Sequence, residues 1–466
     1  MSEKLNIKPE RSSGLIFSFS TLMNPKTYVI VGTGAAGIGG AEAIRENDPR
    51  AKIILIGDEP AGYYSRPGLA YYLTGEIPEG QLFPFSSDEF KKARFDWITA
   101  TVLRIDRDNR KLALDNGLVL DYDCLLLATG ASARMSDLPG AELEGVVQLD
   151  NLDDARRILS YCRKAKRAVV LGGGITALEI VEGLISQKIE THYFLRGDRY
   201  WGNVLDEDES KIIEHRLLEE GVRIHYHTDA EAILPGNGGL FGRRTDQVAG
   251  VRTQDGTEIP CEIVAVAIGV VPRIELAKDA RLEIDRGVLV DDRMRTSDPD
   301  IFAAGDIAQA YDPFARRSVL DVLWPVARDQ GRIAGFNMAG GNQVYTKDVP
   351  LNVTRLAGLT TTIIGTVSTG GRDDDTQGIV RGDSETWRTI PDALVSQCGF
   401  DVNRIRLMIG KNTLLGAIVM GDQTLSRPIH QIVKDQVDIS SIKDQLVDGT
   451  DISEVLSEFW SEVRRK

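Results

Sequence analysis

The chain has 466 residues, 42% hydrophobic and 27% charged, with a formal net charge of −14. At roughly 100 to 200 residues per domain, this length suggests about three domains, each able to bury its own core. No apolar run approaches the roughly 20 residues that cross a bilayer, and the acidic balance opposes nucleic-acid binding, which relies on Lys and Arg at phosphates; a cytoplasmic protein is the expectation.

Residues 1–26 read as a polar N-terminal extension whose apolar patch at 15–19 is too short for an export signal core. The first strong element is Thr27–Val31, a β-branched and aromatic run expected to be a buried parallel strand, followed at once by Gly32-Thr33-Gly34-Ala35-Ala36-Gly37. A helix with Ala41, Ala43 and Ile44 inward and a strand at 52–56 ending in Gly57-Asp58-Glu59 complete the order of a βαβ dinucleotide fold. The same grammar recurs with a strand over Arg167–Leu171, Gly172-Gly173-Gly174-Ile175-Thr176-Ala177, a helix at 178–185 and a strand at 191–195. A lone glycine motif is weak evidence; two copies, each between strand and helix, are hard to produce by chance. Farther on, Ala303-Ala304-Gly305-Asp306 ends a short apolar strand. Strands are expected at Leu351–Leu356 and 361–367, an exposed loop at 369–375, and helices at 429–436, 442–447 and Ile452–Val463.

A diphosphate needs close backbone approach and the N–H groups of a helix N-terminus. Gly32 and Gly34 suit the turn, Gly37 the helix–strand packing, and Gly172, Gly174 and Ala177 the corresponding places in the second copy. Asp58 and Glu59 suit the free ribose hydroxyls of a dinucleotide such as FAD. Arg196, with Arg199 nearby, tilts the second site towards the 2′-phosphate of NADPH over NADH. Cys124, Cys162, Cys261 and Cys398 have no Cys-x-x-Cys or Cys-x4-Cys spacing, which argues against a metal site, an iron–sulfur cluster and a redox-active disulfide.

This order of motifs resembles the FAD-dependent pyridine nucleotide-disulfide oxidoreductase superfamily, in the branch of NADH:rubredoxin reductases, ferredoxin reductases and the flavin part of nitrite reductase large subunits. The motifs are the first glycine turn, Tyr64-Ser65-Arg66-Pro67, Ala128-Thr129-Gly130, the second glycine turn with Glu179, and Ala304-Gly305-Asp306. The resemblance implies FAD contacts from Ala35, Ala36, Arg66, the Val102 backbone, Ala128, Thr129, Gly130 and Gly305, and a ribityl-binding Asp306 with a helix following it. It implies NAD(P)H contacts from Ile175, Thr176, Gly269 and Glu179, with Glu179 beside the nicotinamide. Relatives pair that acid with a Lys after the Arg-Pro turn; here Tyr71 stands in its place. Trp324 falls in a segment that the family keeps near the flavin, although core packing accounts for an aromatic there equally well.

The implied architecture is α/β: two Rossmann-like dinucleotide-binding domains, with the NAD(P)H domain (151–270) inserted into the FAD domain (27–150 and 271–341), then a C-terminal α+β domain (342–466) read as a docking or homodimer interface without chemistry. The implied activity is electron transfer from NAD(P)H through FAD to a rubredoxin- or ferredoxin-like carrier or a small-molecule acceptor. An NAD(P)H oxidase or a nitrite-reductase component is the enzyme alternative. A flavin-binding redox sensor or scaffold is the alternative of another class.

Overall fold

The Thr27–Val31 strand is buried along nearly its whole length and has a parallel neighbour on each side, as its unbroken apolar run requires. The computed structural model describes residues 25–85, 87–238, 243–368, 379, 381–388, 392–400, 403–449 and 451–465. The extension at 1–24 and the loop expected at 369–375 lie outside these residues.

Around that central strand stands a five-stranded parallel sheet in the order Ile301–Ala303, Cys124–Leu127, Thr27–Val31, Lys52–Gly57, Phe95–Thr99. Chain order reverses between Thr27–Val31 and Cys124–Leu127, and such a switch point opens a crevice at the strands' carboxyl ends. The second parallel sheet runs Arg223–His225, Glu190–Phe194, Arg167–Leu171, Ile263–Val266, Val146–Val147, with its own reversal beside Arg167–Leu171. Because Ile301–Ala303 returns to the first sheet after the second is complete, one dinucleotide fold is inserted in the other. Val146–Val147 already belongs to the second sheet, so the chain crosses over a few residues before position 151.

The Ala35–Asn47 helix lies against Trp324–Met338, and glycines set their spacing. A Cβ on Gly331 would stand 2.0 Å from the Ala36 carbonyl oxygen, and one on Gly335 2.2 Å from that of Gly40. Ion pairs Arg328–Glu42 (2.7 Å) and Arg332–Glu46 (2.8 Å) flank the crossing.

The C-terminal unit is an antiparallel sheet, Leu351–Leu356, Leu359–Gly365, Leu414–Met420, Asn403–Ile409, Leu394–Phe400, which shares a core with the helices Ser426–Lys434, Lys443–Val447 and Ile452–Val463. Three of these strands were not read from the sequence. A strand, Ala308–Asp312, follows Asp306 where a helix was expected; the next long helix starts only at Trp324. Among the described residues no helix is long and apolar enough to cross a membrane.

The glycine crossing gives a stability prediction. Gly331→Ala should destabilise the protein by about 1–3 kcal/mol through overpacking, read as a lower melting temperature; an unchanged melt would show that the two helices can separate at no cost.

Candidate functional site

Gly32 leaves the first strand at φ +111°, and a Cβ there would lie 2.0 Å from the Ala128 carbonyl oxygen. No side chain but glycine's satisfies both constraints. The turn delivers the chain to Gly34, which caps the Ala35–Asn47 helix with no side-chain hydrogen bond and has open space where a Cβ would be. The first N–H groups of a helix have no intrahelical acceptor, so this bare N-terminus is an anion cradle facing a cleft. The second copy is built alike: Gly172 has φ +139° and its Cβ would fall 2.2 Å from the Ala267 carbonyl oxygen, while Gly174 caps Ile175–Ser186 without a side-chain bond.

One large cleft joins the two sheets. Of the residues expected from sequence, Gly32, Gly34, Ala35, Ala36, Asp58, Glu59, Arg66, Ala128, Thr129, Gly130, Ile175, Glu179, Gly305 and Asp306 line it. Gly174, Thr176 and Gly269 line a small recess beside it, and Arg381 borders both. Gly37 lies behind the wall, where a Cβ would strike the Gly32 carbonyl oxygen at 2.0 Å, and Ala177 is buried against Gly172. Gly172, like Gly37 and Ala177, lies outside both linings, and so do three expected residues away from the glycine turns. Val102 is buried in its own strand, Arg196 is exposed beyond the end of Glu190–Phe194, and Arg199 turns back to Asp198 (3.1 Å) and the Gly202 carbonyl oxygen (3.1 Å).

The cleft walls are held by charge. Glu59 pairs with Arg66 and accepts from the Tyr64 hydroxyl at 2.6 Å, which leaves Asp58 as the exposed acid at the end of its strand. Arg66 also donates to the Asp150 carbonyl oxygen and lies over the Tyr64 ring. Asp150 is buried, and its carboxylate receives Arg273 (3.3 Å) and Arg381. Arg381 also stands 4.0 Å from Asp306, whose carboxyl is pushed above its ordinary range by burial and pulled back by Arg381 and Arg66. Trp324 is 40% exposed at the start of its helix and lines the cleft, so core packing does not account for it.

Glu179 and Glu182, three residues apart on the Ile175–Ser186 helix, both face the cleft. Burial and the neighbouring Glu182 push Glu179 up to about 8, against the pull of Arg381. Burial pushes Glu182 up to about 7, although it accepts from the Gly358 N–H at 3.0 Å. The position that would hold a Lys is occupied by Tyr71, with Arg355 stacked 5.1 Å above its ring and paired to Glu76. The four cysteines are unpaired and none lines the cleft; burial raises Cys124 and Cys162 to about 11, so they stay thiols at neutral pH.

Residues 26–331 match the model of the pyridine nucleotide-disulphide oxidoreductase family. The chain belongs to this family. Over 331 residues it is 34% identical to rhodocoxin reductase of Rhodococcus erythropolis, covering 70% of this chain and 74% of that protein. It is 30% identical to an NADH oxidase of Methanocaldococcus jannaschii over 322 residues, 67% of this chain and 70% of that one. A solved ferredoxin reductase of Rhodopseudomonas palustris, which serves the CYP199A2 system, superposes with a TM-score of 0.79 at 27% identity, covering 93% of this chain and 99% of that one. This pyridine nucleotide-disulphide oxidoreductase is thus an FAD-dependent enzyme that uses a nicotinamide nucleotide.

Sequence reading missed Asp150, Arg273, Arg381, Glu182 and the Asn352–Arg355 stretch of the cleft wall. Arg273 follows Gly269 by four residues and was within reach of motif reading. Arg381 pairs with an acid 231 positions away, and no local pattern announces it.

The acid pair sets a pH dependence. A carboxyl whose folded pKa is raised from 4.5 to about 8 contributes stability fully below pH 4.5 and loses it as pH rises to about 8. Glu179→Gln should therefore flatten the fall in apoprotein melting temperature across that window; parallel curves for variant and wild type would contradict the burial assigned to Glu179.

Proposed function

We propose that the enzyme takes reducing equivalents from NAD(P)H and passes electrons to a small iron–sulfur or rubredoxin-type carrier in the cytoplasm. The observation that carries this reading is the single cleft onto which Gly34 of one sheet and Ile175 and Glu179 of the other both open. Each helix N-terminus would seat one dinucleotide, and both seats open on one shared space.

The residues present fit FAD on the first sheet. The cradle at Gly32 and Gly34 takes the diphosphate, Asp58 the adenosine ribose, and Asp306 the ribityl hydroxyls. When bound, the flavin accepts a hydride from NAD(P)H and releases electrons one at a time, chemistry no side chain supplies. Glu179, protonated below about pH 8, donates a hydrogen bond to the nicotinamide carboxamide and orients the ring. Ile175, Thr176 and Gly269 border the nicotinamide nucleotide, and Ala128, Thr129 and Gly130 close the flavin side. Arg196, beyond the end of its strand, meets a 2′-phosphate, which makes NADPH the preferred donor. A carrier as acceptor accords with the rhodocoxin and ferredoxin reductases among the relatives, although the NADH oxidase shares the same core.

Anaerobic titration of the yellow protein with NADPH and NADH in parallel tests this reading. Bleaching, followed by recovery of colour on adding oxidised rubredoxin or ferredoxin, is expected; a flavin that stays reduced with every carrier and recovers only in air would make the enzyme an oxidase. Arg196→Glu should weaken NADPH by about 1.5–3 kcal/mol, roughly ten- to a hundredfold, and spare NADH. Equal losses for the two nucleotides would remove the 2′-phosphate contact.

A further inference from the structure

Arg381 belongs to none of the family's sequence motifs and reaches the cleft from the C-terminal part of the chain. Its backbone is clamped on both sides. Val270 donates to the Ile379 carbonyl oxygen (2.9 Å), and the Gly382 N–H donates to Val322 (2.8 Å). The next residues fix the segment further: Ser384 donates to Asp321, Glu385 pairs with Arg286 and Arg317, and Thr386 donates to Asp312. Asp312 and Asp321 are buried with Lys347 between them, so these anchors lie in low dielectric, where hydrogen bonds to charge are strong.

So firm an anchorage is not needed for an arginine that merely solvates a surface. Its side chain is 22% exposed, and the guanidinium lies between Asp150 and Asp306, bordering both the flavin cleft and the recess at Gly174, Thr176 and Gly269. That recess adjoins the bare N-terminus of the Ile175–Ser186 helix. Of the five donors on the guanidinium's planar fork, Asp150 takes one on Nη2 and Asp306 stands 4.0 Å from Nη1, beyond hydrogen-bond length, so donors are left over for a phosphate.

We propose that Arg381 is a nucleotide-binding residue which holds the diphosphate of the nicotinamide nucleotide against the second glycine turn. The C-terminal unit then completes the redox site in addition to any docking role. This rests on the reading of the second sheet as the NAD(P)H site.

ADP-ribose, which carries the diphosphate without the nicotinamide, is the probe. Added to the flavin-loaded protein and followed by calorimetry, it should, per mole of bound flavin, bind R381Q about tenfold more weakly than wild type, with partial recovery in R381K. R381Q that melts like wild type and binds ADP-ribose equally well would overturn the proposal. If R381Q does not fold, R381K, which keeps the charge beside Asp150, must still bind more weakly than wild type, and equal binding overturns it. Wild-type protein that binds no ADP-ribose would instead refute the NAD(P)H site itself.

Discussion

The cleft depends on how closely backbone can approach backbone at two turns. At Gly32 and Gly172 a carbonyl from the neighbouring strand occupies the place of a side chain, at 2.0 and 2.2 Å from an ideal Cβ. That contact brings each helix N-terminus hard against the end of its sheet, where uncapped N–H groups and the helix dipole favour a diphosphate. Gly331 and Gly335 extend the same constraint one layer outward and bring Trp324, at the head of its helix, to the cleft rim.

Onto this backbone frame is laid an alternation of charge. Arg66, Arg273 and Arg381 converge on Asp150, while Asp58, Asp306 and Glu179 face the open space. Buried acids near buried arginines keep their charge only where the pairing is close. Burial and Glu182 hold the Glu179 proton to about pH 8 against the pull of Arg381, whereas at Asp306 Arg381 and Arg66 together oppose the effect of burial. Burial thus raises both carboxyls, and the charged groups around each oppose or add to that rise.

Local physics made the two glycine turns legible, because strand, positive φ, helix start and second strand follow one another within about thirty residues, the length of a βαβ unit. Asp306 was legible as a cleft residue, but not the strand that follows it, since Ala308–Asp312 is short and its pairing partners lie elsewhere. Three strands of the last sheet escaped notice for a similar reason. Their register is fixed by antiparallel partners, and an apolar run such as Leu414–Met420 does not by itself distinguish a central strand from a buried helix. Arg381 was hidden altogether, being held in place by acids at 150 and 306.

If the two dinucleotides meet face to face in one cleft, only one face of the nicotinamide is presented to the flavin. Reduction of the bound flavin by nucleotide deuterated at one or the other C4 position, followed anaerobically in single turnover, tests this directly. Slower bleaching with only one of the two labelled forms is the predicted result. Equal slowing by both, or by neither, would contradict a cleft that holds the nicotinamide in a single orientation.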